Sequence, residues 1–64
     1  MRHTELWARL DAALGPAAAK TWAEYQAITE LGSRTVVEAL AEGIPPKRVW
    51  GAVWAVLELP AKDK

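Results

Sequence analysis

The sequence predicts an all-α protein: a compact bundle of four short helices, the last two forming a helix-turn-helix-like corner. Apolar residues recur at helical spacing in four separate segments. Glycines and prolines lie between these segments, where helices commonly end and begin. The chain has 64 residues and no cysteine, so its stability must come from packing rather than from disulfides or thiolate metal sites.

The first helix is predicted to begin at Thr4, a good N-cap residue, and to end at Gly15, since glycine accepts the left-handed conformation that follows many helices. Glu5 and Arg9 have the spacing of an ion pair on the outer side. The predicted inward face consists of Leu6, Trp7, Leu10, Ala13 and Leu14.

The second helix is predicted to begin at Pro16, because proline suits the first helical position. Good helix formers follow without glycine or proline, which extends this helix to Leu31, and Gly32 ends it. Its predicted apolar stripe comprises Ala18, Trp22, Tyr25, Ile28 (or Thr29) and Leu31.

The third helix is short and opens with the capping-box pattern Thr35-x-x-Glu38. Gly43 is predicted to close it. Its inward side chains are expected to be Val36, Val37, Leu40 and Ala41.

The fourth helix is predicted to start at Pro45 and Pro46 and to be bounded by Pro60. Its wide apolar surface indicates the most buried helix, with Trp50 at the centre of the core beside several of Trp7, Trp22, Val53 and Leu57. Gly51 lies mid-helix, where glycine costs about 1 kcal/mol relative to alanine, so we expect another helix or a ring to approach it closely. The wide apolar surface of the fourth helix comprises Val49, Trp50, Val53, Trp54, Val56 and Leu57.

The composition argues against several functions. Eight basic and eight acidic side chains balance, which gives no general attraction to nucleic acid or to an anionic membrane. No apolar run approaches the ~18–20 residues of a membrane span, and the first residues lack the apolar region of a signal peptide. We therefore expect a cytoplasmic protein whose single domain covers residues 1–60, followed by a frayed polar tail at 61–64.

The inventory of catalytic groups is thin. The one histidine, His3, lies near the start of the chain, and the one serine, Ser33, lies in a predicted turn. Glu38 and Glu42 have a spacing that would let them share a cation, but a solvated acidic face is the favoured interpretation. The four glycines are dispersed and form no phosphate loop. The sequence predicts no enzyme, and no catalytic residue, metal or cofactor.

Two sets of residues are candidates for binding. The tryptophans are predicted core or partner-contact residues, since their neighbours are apolar rather than basic as in a base-stacking surface. The cations of residues 34–50 are candidates for contact with an anion or a nucleic acid. The tryptophan set is Trp7, Trp22, Trp50 and Trp54. The cation set is Arg34, Lys47 and Arg48.

Residues 34–50 also fit the spacing of a DNA-binding helix-turn-helix, with Ala39, Gly43 and Val49 as the small, turn and locking residues. Two features weigh against DNA. Glu38 and Glu42 occupy positions that are usually apolar in that motif, and the last helix offers few side chains that read base edges. An αα-corner inside a bundle is the favoured interpretation.

Three segments carry a family resemblance: MRHTELW, LGSRTVVEAL and GIPPKRVWGAV. Over about residues 1–60 the chain resembles a small actinobacterial family catalogued as domain of unknown function 3046. The resemblance implies an all-helical cytoplasmic protein without an assigned activity. Genes of this family are often found near those of the RecA recombinase and its regulator RecX, an association with DNA repair. Gly51 stands where many members carry a basic residue, and Trp54 where many carry cysteine.

The sequence favours a non-enzymatic adaptor or regulator that binds a protein partner of unknown identity. The alternative is a DNA-binding accessory factor that uses residues 34–50, linked to recombination or repair. No membrane partner is expected, and weak self-association is left open.

Overall fold

The computed structural model describes all 64 residues and contains four helices and no β-strand. Helix α1 packs against α2 and α4, and α3 packs against the same two helices. The radius of gyration is 10.4 Å, close to the value of about 11 Å expected for a compact chain of this length. No helix has the length and apolar character needed to cross a membrane. The helices are α1 (His3–Leu14), α2 (Pro16–Tyr25), α3 (Val36–Ala41) and α4 (Pro46–Val56), with 3-10 turns at Thr29–Leu31 and Ala61–Asp63.

Twelve buried hydrophobic residues form the core. Helix α4 contributes four of them and each other helix contributes two, so α4 is the most buried helix, as predicted. Trp50 is buried, whereas Trp7, Trp22 and Trp54 are partly buried at the edge of the core. The core residues are Leu6, Leu10, Ala19, Ala23, Ile28, Leu31, Val36, Ala39, Val49, Trp50, Ala52 and Val53.

The predicted burial is wrong for six residues that were assigned to the inward faces of the helices. Four alanines that were not assigned to inward faces pack in the core, where their short side chains let helix backbones approach closely. The buried alanines are Ala19, Ala23, Ala39 and Ala52. The exposed residues that had been assigned to inward faces are Ala13, Ala18, Tyr25, Val37, Ala41 and Val56.

Helix α1 differs from the prediction at its start and on its outer face. It begins at His3 with Arg2 as the N-cap, and no side chain caps it. The predicted Glu5–Arg9 ion pair does not form, because the guanidinium of Arg9 hydrogen-bonds a main-chain oxygen at the end of the chain. Gly15 ends the helix, as predicted, but as its C-cap and with a φ of 86° and a ψ of 146° rather than in the left-handed helical conformation.

Helix α2 ends at Tyr25, so its predicted extension to Leu31 is wrong. The N–H of Ile28 donates to the carbonyl of Arg34 at 2.9 Å, forming an isolated antiparallel bridge. This N–H is therefore unavailable for a helical hydrogen bond. Ile28 and Leu31 are still buried, but they reach the core from a loop and a 3-10 turn.

The capping box of α3 is confirmed. The N–H of Glu38 donates to the hydroxyl oxygen of Thr35 at 3.1 Å, and the N–H of Thr35 donates to the Glu38 carboxylate at 2.9 Å. These two bonds satisfy donors that the first helical turn leaves free. They fix the start of α3 and direct Val36 into the core.

Helix α3 ends in a Schellman motif at Gly43. The N–H of Gly43 donates to the carbonyl of Leu40 at 3.1 Å, and the N–H of Ile44 donates to that of Ala39 at 3.0 Å. Gly43 has a φ of 89°, the left-handed conformation that the sequence predicted for it. The chain thereby turns from α3 into α4.

Helix α4 ends in the same motif with glutamate in place of glycine. The N–H of Glu58 donates to the carbonyl of Ala55 at 3.2 Å, and the N–H of Leu59 donates to that of Trp54 at 3.1 Å. Glu58 has a φ of 53°, a left-handed conformation that is costly for a residue with a Cβ atom. The helix thus ends before Pro60, and the chain turns back toward α1.

The close approach predicted at Gly51 is wrong. A Cβ atom placed there would meet no heavy atom from outside its own helix turn within 4 Å. Position 51 therefore has room for a side chain, and no packing reason for glycine exists there.

Candidate partner-binding site

Arg34 is committed to contacts within the molecule. Its Nε donates to Glu42 Oε2 at 2.8 Å, and its Nη1 donates to the carbonyl of Leu31 at 2.9 Å. The hydrogen bond from Arg34 and the charge of Glu42 raise the pKa of Arg34 above its ordinary value. The guanidinium thus ties the loop before α3 to the end of that helix.

Lys47 and Arg48 are exposed in the first turn of α4 and form no ion pair. Cations at a helix N-terminus are disfavoured by the helix dipole, so neither residue is placed there for stability. The corner beneath them is well packed, since Ala39 and Val49 are fully buried. Of the three candidate cations, two are therefore free to contact an anion.

The other polar candidates do not converge. His3 is exposed at the start of α1, and Ser33 is exposed in the turn before α3 with a φ of 64°. Glu38 and Glu42 are engaged by Thr35 and Arg34. No group of three or more histidine or acidic side chains is placed to hold a metal ion.

Two of the four tryptophans use their indole N–H groups as donors. Trp50 is only 2% exposed, and its Nε1 donates to the carbonyl of Asp63 at 2.9 Å. The Nε1 of Trp54 donates to the carbonyl of Pro60 at 2.9 Å. Trp7 and Trp22 make no such bond. Trp50 and Trp54 thus mark one surface of α4 that combines apolar rings with hydrogen-bond donors.

Residues 60–64 fold back over Trp50 and Trp54, and we call them the strap; they consist of Pro60 and the tail that was expected to fray, 61–64. Within it, the N–H of Asp63 donates to the carbonyl of Pro60 at 2.9 Å, which closes a 3-10 turn. Lys64 Nζ lies 5.0 Å from the centroid of the Trp54 ring. The strap is therefore attached to α4 by both hydrogen bonds and a cation–π contact.

Arg9 joins the strap to α1. Its Nη1 donates to the main-chain oxygen of Lys64 at 3.0 Å, and its Cζ lies 5.8 Å from the centroid of the Trp50 ring. Between α1 and the strap lies a cleft of about 400 Å³. The cleft is lined by Arg9, Ala12, Ala13, Trp50, Leu59, Lys62 and Asp63.

The family model described as protein of unknown function (DUF3046) matches residues 1–62, nearly the whole chain. The chain belongs to the DUF3046 family. No curated protein and no solved structure matches it significantly.

Of the residues around the cleft of this DUF3046 protein, the sequence singled out Trp50 alone as a contact candidate. Arg9 was assigned to an outer ion pair, and Lys62 and Asp63 to a frayed tail. One signal was available: a buried indole N–H needs an acceptor, and Trp50 has none within its own helix. That signal predicts an acceptor but does not say which segment supplies it.

Proposed function

We propose that this DUF3046 protein is a non-enzymatic adaptor or regulator that acts in the cytoplasm by binding another protein. The observation that carries the proposal is the cleft between α1 and the strap, where Arg9 and Trp50 lie side by side. Tryptophan and arginine are enriched among the residues that dominate protein–protein binding energies. Because Trp50 is 2% exposed, Arg9 and the other lining residues supply the accessible surface of the cleft, and Trp50 lies behind them as an apolar base for a partner's contact.

The chemistry of the cleft suits a polypeptide ligand. Its walls combine apolar groups from Ala12, Ala13 and Leu59 with charges of both signs from Arg9 and Asp63. Interfaces between proteins have this composition, with an apolar centre and a polar rim. A volume of about 400 Å³ accommodates one or two side chains of a partner.

The test places a charge in the cleft without disturbing the core. Ala13 and Ala18 are both exposed helical alanines, and Ala13 lines the cleft whereas Ala18 does not. Wild type, Ala13→Glu and Ala18→Glu are immobilised, and proteins retained from a lysate of the source organism are quantified by mass spectrometry. We expect a partner held equally by wild type and Ala18→Glu and about tenfold less by Ala13→Glu.

Direct binding is then measured with the purified partner, and circular dichroism verifies that both variants are folded. Equal retention by all three proteins would contradict the use of the cleft. If no protein binds the wild type specifically, the adaptor proposal itself fails.

The exposed cations of α4 support a second candidate function, a DNA-binding accessory factor linked to recombination or repair. Lys47 and Arg48 project from a packed helix-turn-helix-like corner. Two phosphate contacts would give a log–log salt slope of only about −1.8, whereas a DNA binder commonly makes roughly 6–10 such contacts. We therefore expect weak binding of duplex DNA or none.

A fluorescence titration of the protein against random and native DNA duplexes at about 0.1 M salt tests this expectation. The variant is Lys47→Glu with Arg48→Glu, and Lys20→Glu on α2 serves as a charge control. Sub-micromolar binding by the wild type that persists in Lys20→Glu and disappears in the double variant would favour DNA over a protein partner.

A further inference from the structure

The strap is bound through its main chain. Its three acceptors of side-chain hydrogen bonds are the main-chain oxygens of Pro60, Asp63 and Lys64, and the donors are Trp54, Trp50 and Arg9. A carbonyl is present in every residue, so these donors recognise a turn of backbone rather than a particular set of side chains. Another segment with the same turn would satisfy them equally well.

The strap also occupies its site loosely. None of residues 60–64 is buried, whereas Trp50, beneath them, is 2% exposed. The cleft of about 400 Å³ remains open beside Lys62 and Asp63. Segments with little buried apolar surface open locally at a small fraction of the free energy of global unfolding. The donors of α4 and α1 are therefore covered by a weakly held occupant.

We propose that the strap occupies, within its own chain, the site at which a peptide segment of the partner binds. The matching segment is a proline-led single turn that offers main-chain carbonyls to Trp50, Trp54 and Arg9 and places a lysine over the Trp54 ring, as Lys64 does. The strap then acts as a built-in competitor: the partner first contacts the open cleft and then displaces Lys62 and Asp63 from its wall, so that α1 and α4 alone bound the occupied site. This inference rests on the proposed function for the existence of a partner, but the site itself is testable without one.

A matched pair of variants releases the strap. Asp63→Pro removes the N–H that closes the 3-10 turn and forces Lys62 toward an extended conformation. Asp63→Ala removes the same carboxylate and keeps the N–H. Both changes lie outside the twelve-residue core. The indole ¹H–¹⁵N signals of the four tryptophans report the result, with Trp7 and Trp22 as references inside the same chain.

We expect the exchange of the Trp50 indole proton with water to be about tenfold faster in Asp63→Pro than in wild type or Asp63→Ala. The exchange rates of the Trp7 and Trp22 indole protons and the far-ultraviolet circular dichroism should not change. Equal protection of Trp50 in both variants, or protection that is lost only with global unfolding, would overturn the displaceable strap.

The ability of a separate peptide to occupy the strap's site is tested with the blocked peptide acetyl-PAKDK-amide, which has the sequence of residues 60–64. We expect it to shift the Trp50 and Trp54 indole signals of Asp63→Pro with about tenfold higher affinity than those of wild type. The peptide acetyl-PAKDA-amide should bind less tightly, because it lacks only the cation that lies over the Trp54 ring. Failure of Asp63→Pro to bind acetyl-PAKDK-amide, or binding no tighter than that of wild type, would overturn the site.

Failure of this inference is distinguishable from failure of the proposed function. The peptide titration needs no native partner, whereas the comparison of Ala13→Glu with Ala18→Glu needs no movement of the strap. A partner that discriminates between those alanine variants while the peptides fail would leave the adaptor proposal standing and remove the strap site alone.

Discussion

Helices α3 and α4 end in the same hydrogen-bonded turn, but Gly43 occupies its left-handed position in one and Glu58 in the other. The left-handed conformation costs an L-residue about 1–2 kcal/mol, whereas glycine adopts it readily. The end of α3 is therefore encoded locally. At the end of α4, the conformational cost at Glu58 has to be offset by contacts farther along the chain. The strap provides them by accepting hydrogen bonds from Trp50, Trp54 and Arg9.

The largest effect is expected for Gly43→Ala. The space around Gly43 is open, so the change tests backbone strain without steric conflict. We expect a loss of about 1 kcal/mol in the free energy of unfolding. For a domain with a stability near or below ~5 kcal/mol, this loss produces a clear decrease in the urea midpoint. An unchanged midpoint would show that the two helix ends do not differ in their strain.

Gly51→Ala is the matched control, since its surroundings are equally open but its backbone is helical. Alanine is the better helix former, so we expect a gain of about 0.5–1 kcal/mol in the free energy of unfolding. The same urea titration measures it. Opposite signs at positions 43 and 51 would isolate the left-handed backbone as the cause. A decrease at position 51 would instead indicate a contact that the open surroundings do not explain.

The smallest effect is expected for Glu58→Gly. Relief of strain is partly cancelled by the greater freedom of glycine in the unfolded chain, which leaves a gain of about 0.5 kcal/mol. Denaturation measures the gain, and the Trp50 indole signal verifies that the strap stays in place. A decrease in stability would mean that the glutamate side chain contributes more than its backbone costs.

The helix starts and ends that use local chemistry were predictable from the sequence. Thr35 and Glu38 are three residues apart and form their capping box without help from the rest of the chain. Gly15 and Gly43 end their helices because their own conformational freedom favours it. Such features need only neighbouring residues, and the sequence shows those directly.

The features that depend on distant partners were not predictable. The second helix stops early because the N–H of Ile28 bonds the carbonyl of Arg34. Arg9 faces the strap because its guanidinium meets the main-chain oxygen of Lys64, 55 residues away. No spacing rule within one helix identifies either partner. The candidate site was therefore missed in large part, although the bundle and Trp50 at its centre were predicted.

The main-chain character of the strap contacts also has an evolutionary consequence. Substitutions at Ala61 and Lys62 leave the main-chain oxygens of Pro60, Asp63 and Lys64 in place. We therefore expect them to have little effect on the binding of the strap to α4 and Arg9. Selection on this surface would act instead on the Trp50 indole, on Arg9 and on the ability of the backbone to turn. The sequence of this segment can therefore change while the contacts with Trp50 and Arg9 are retained.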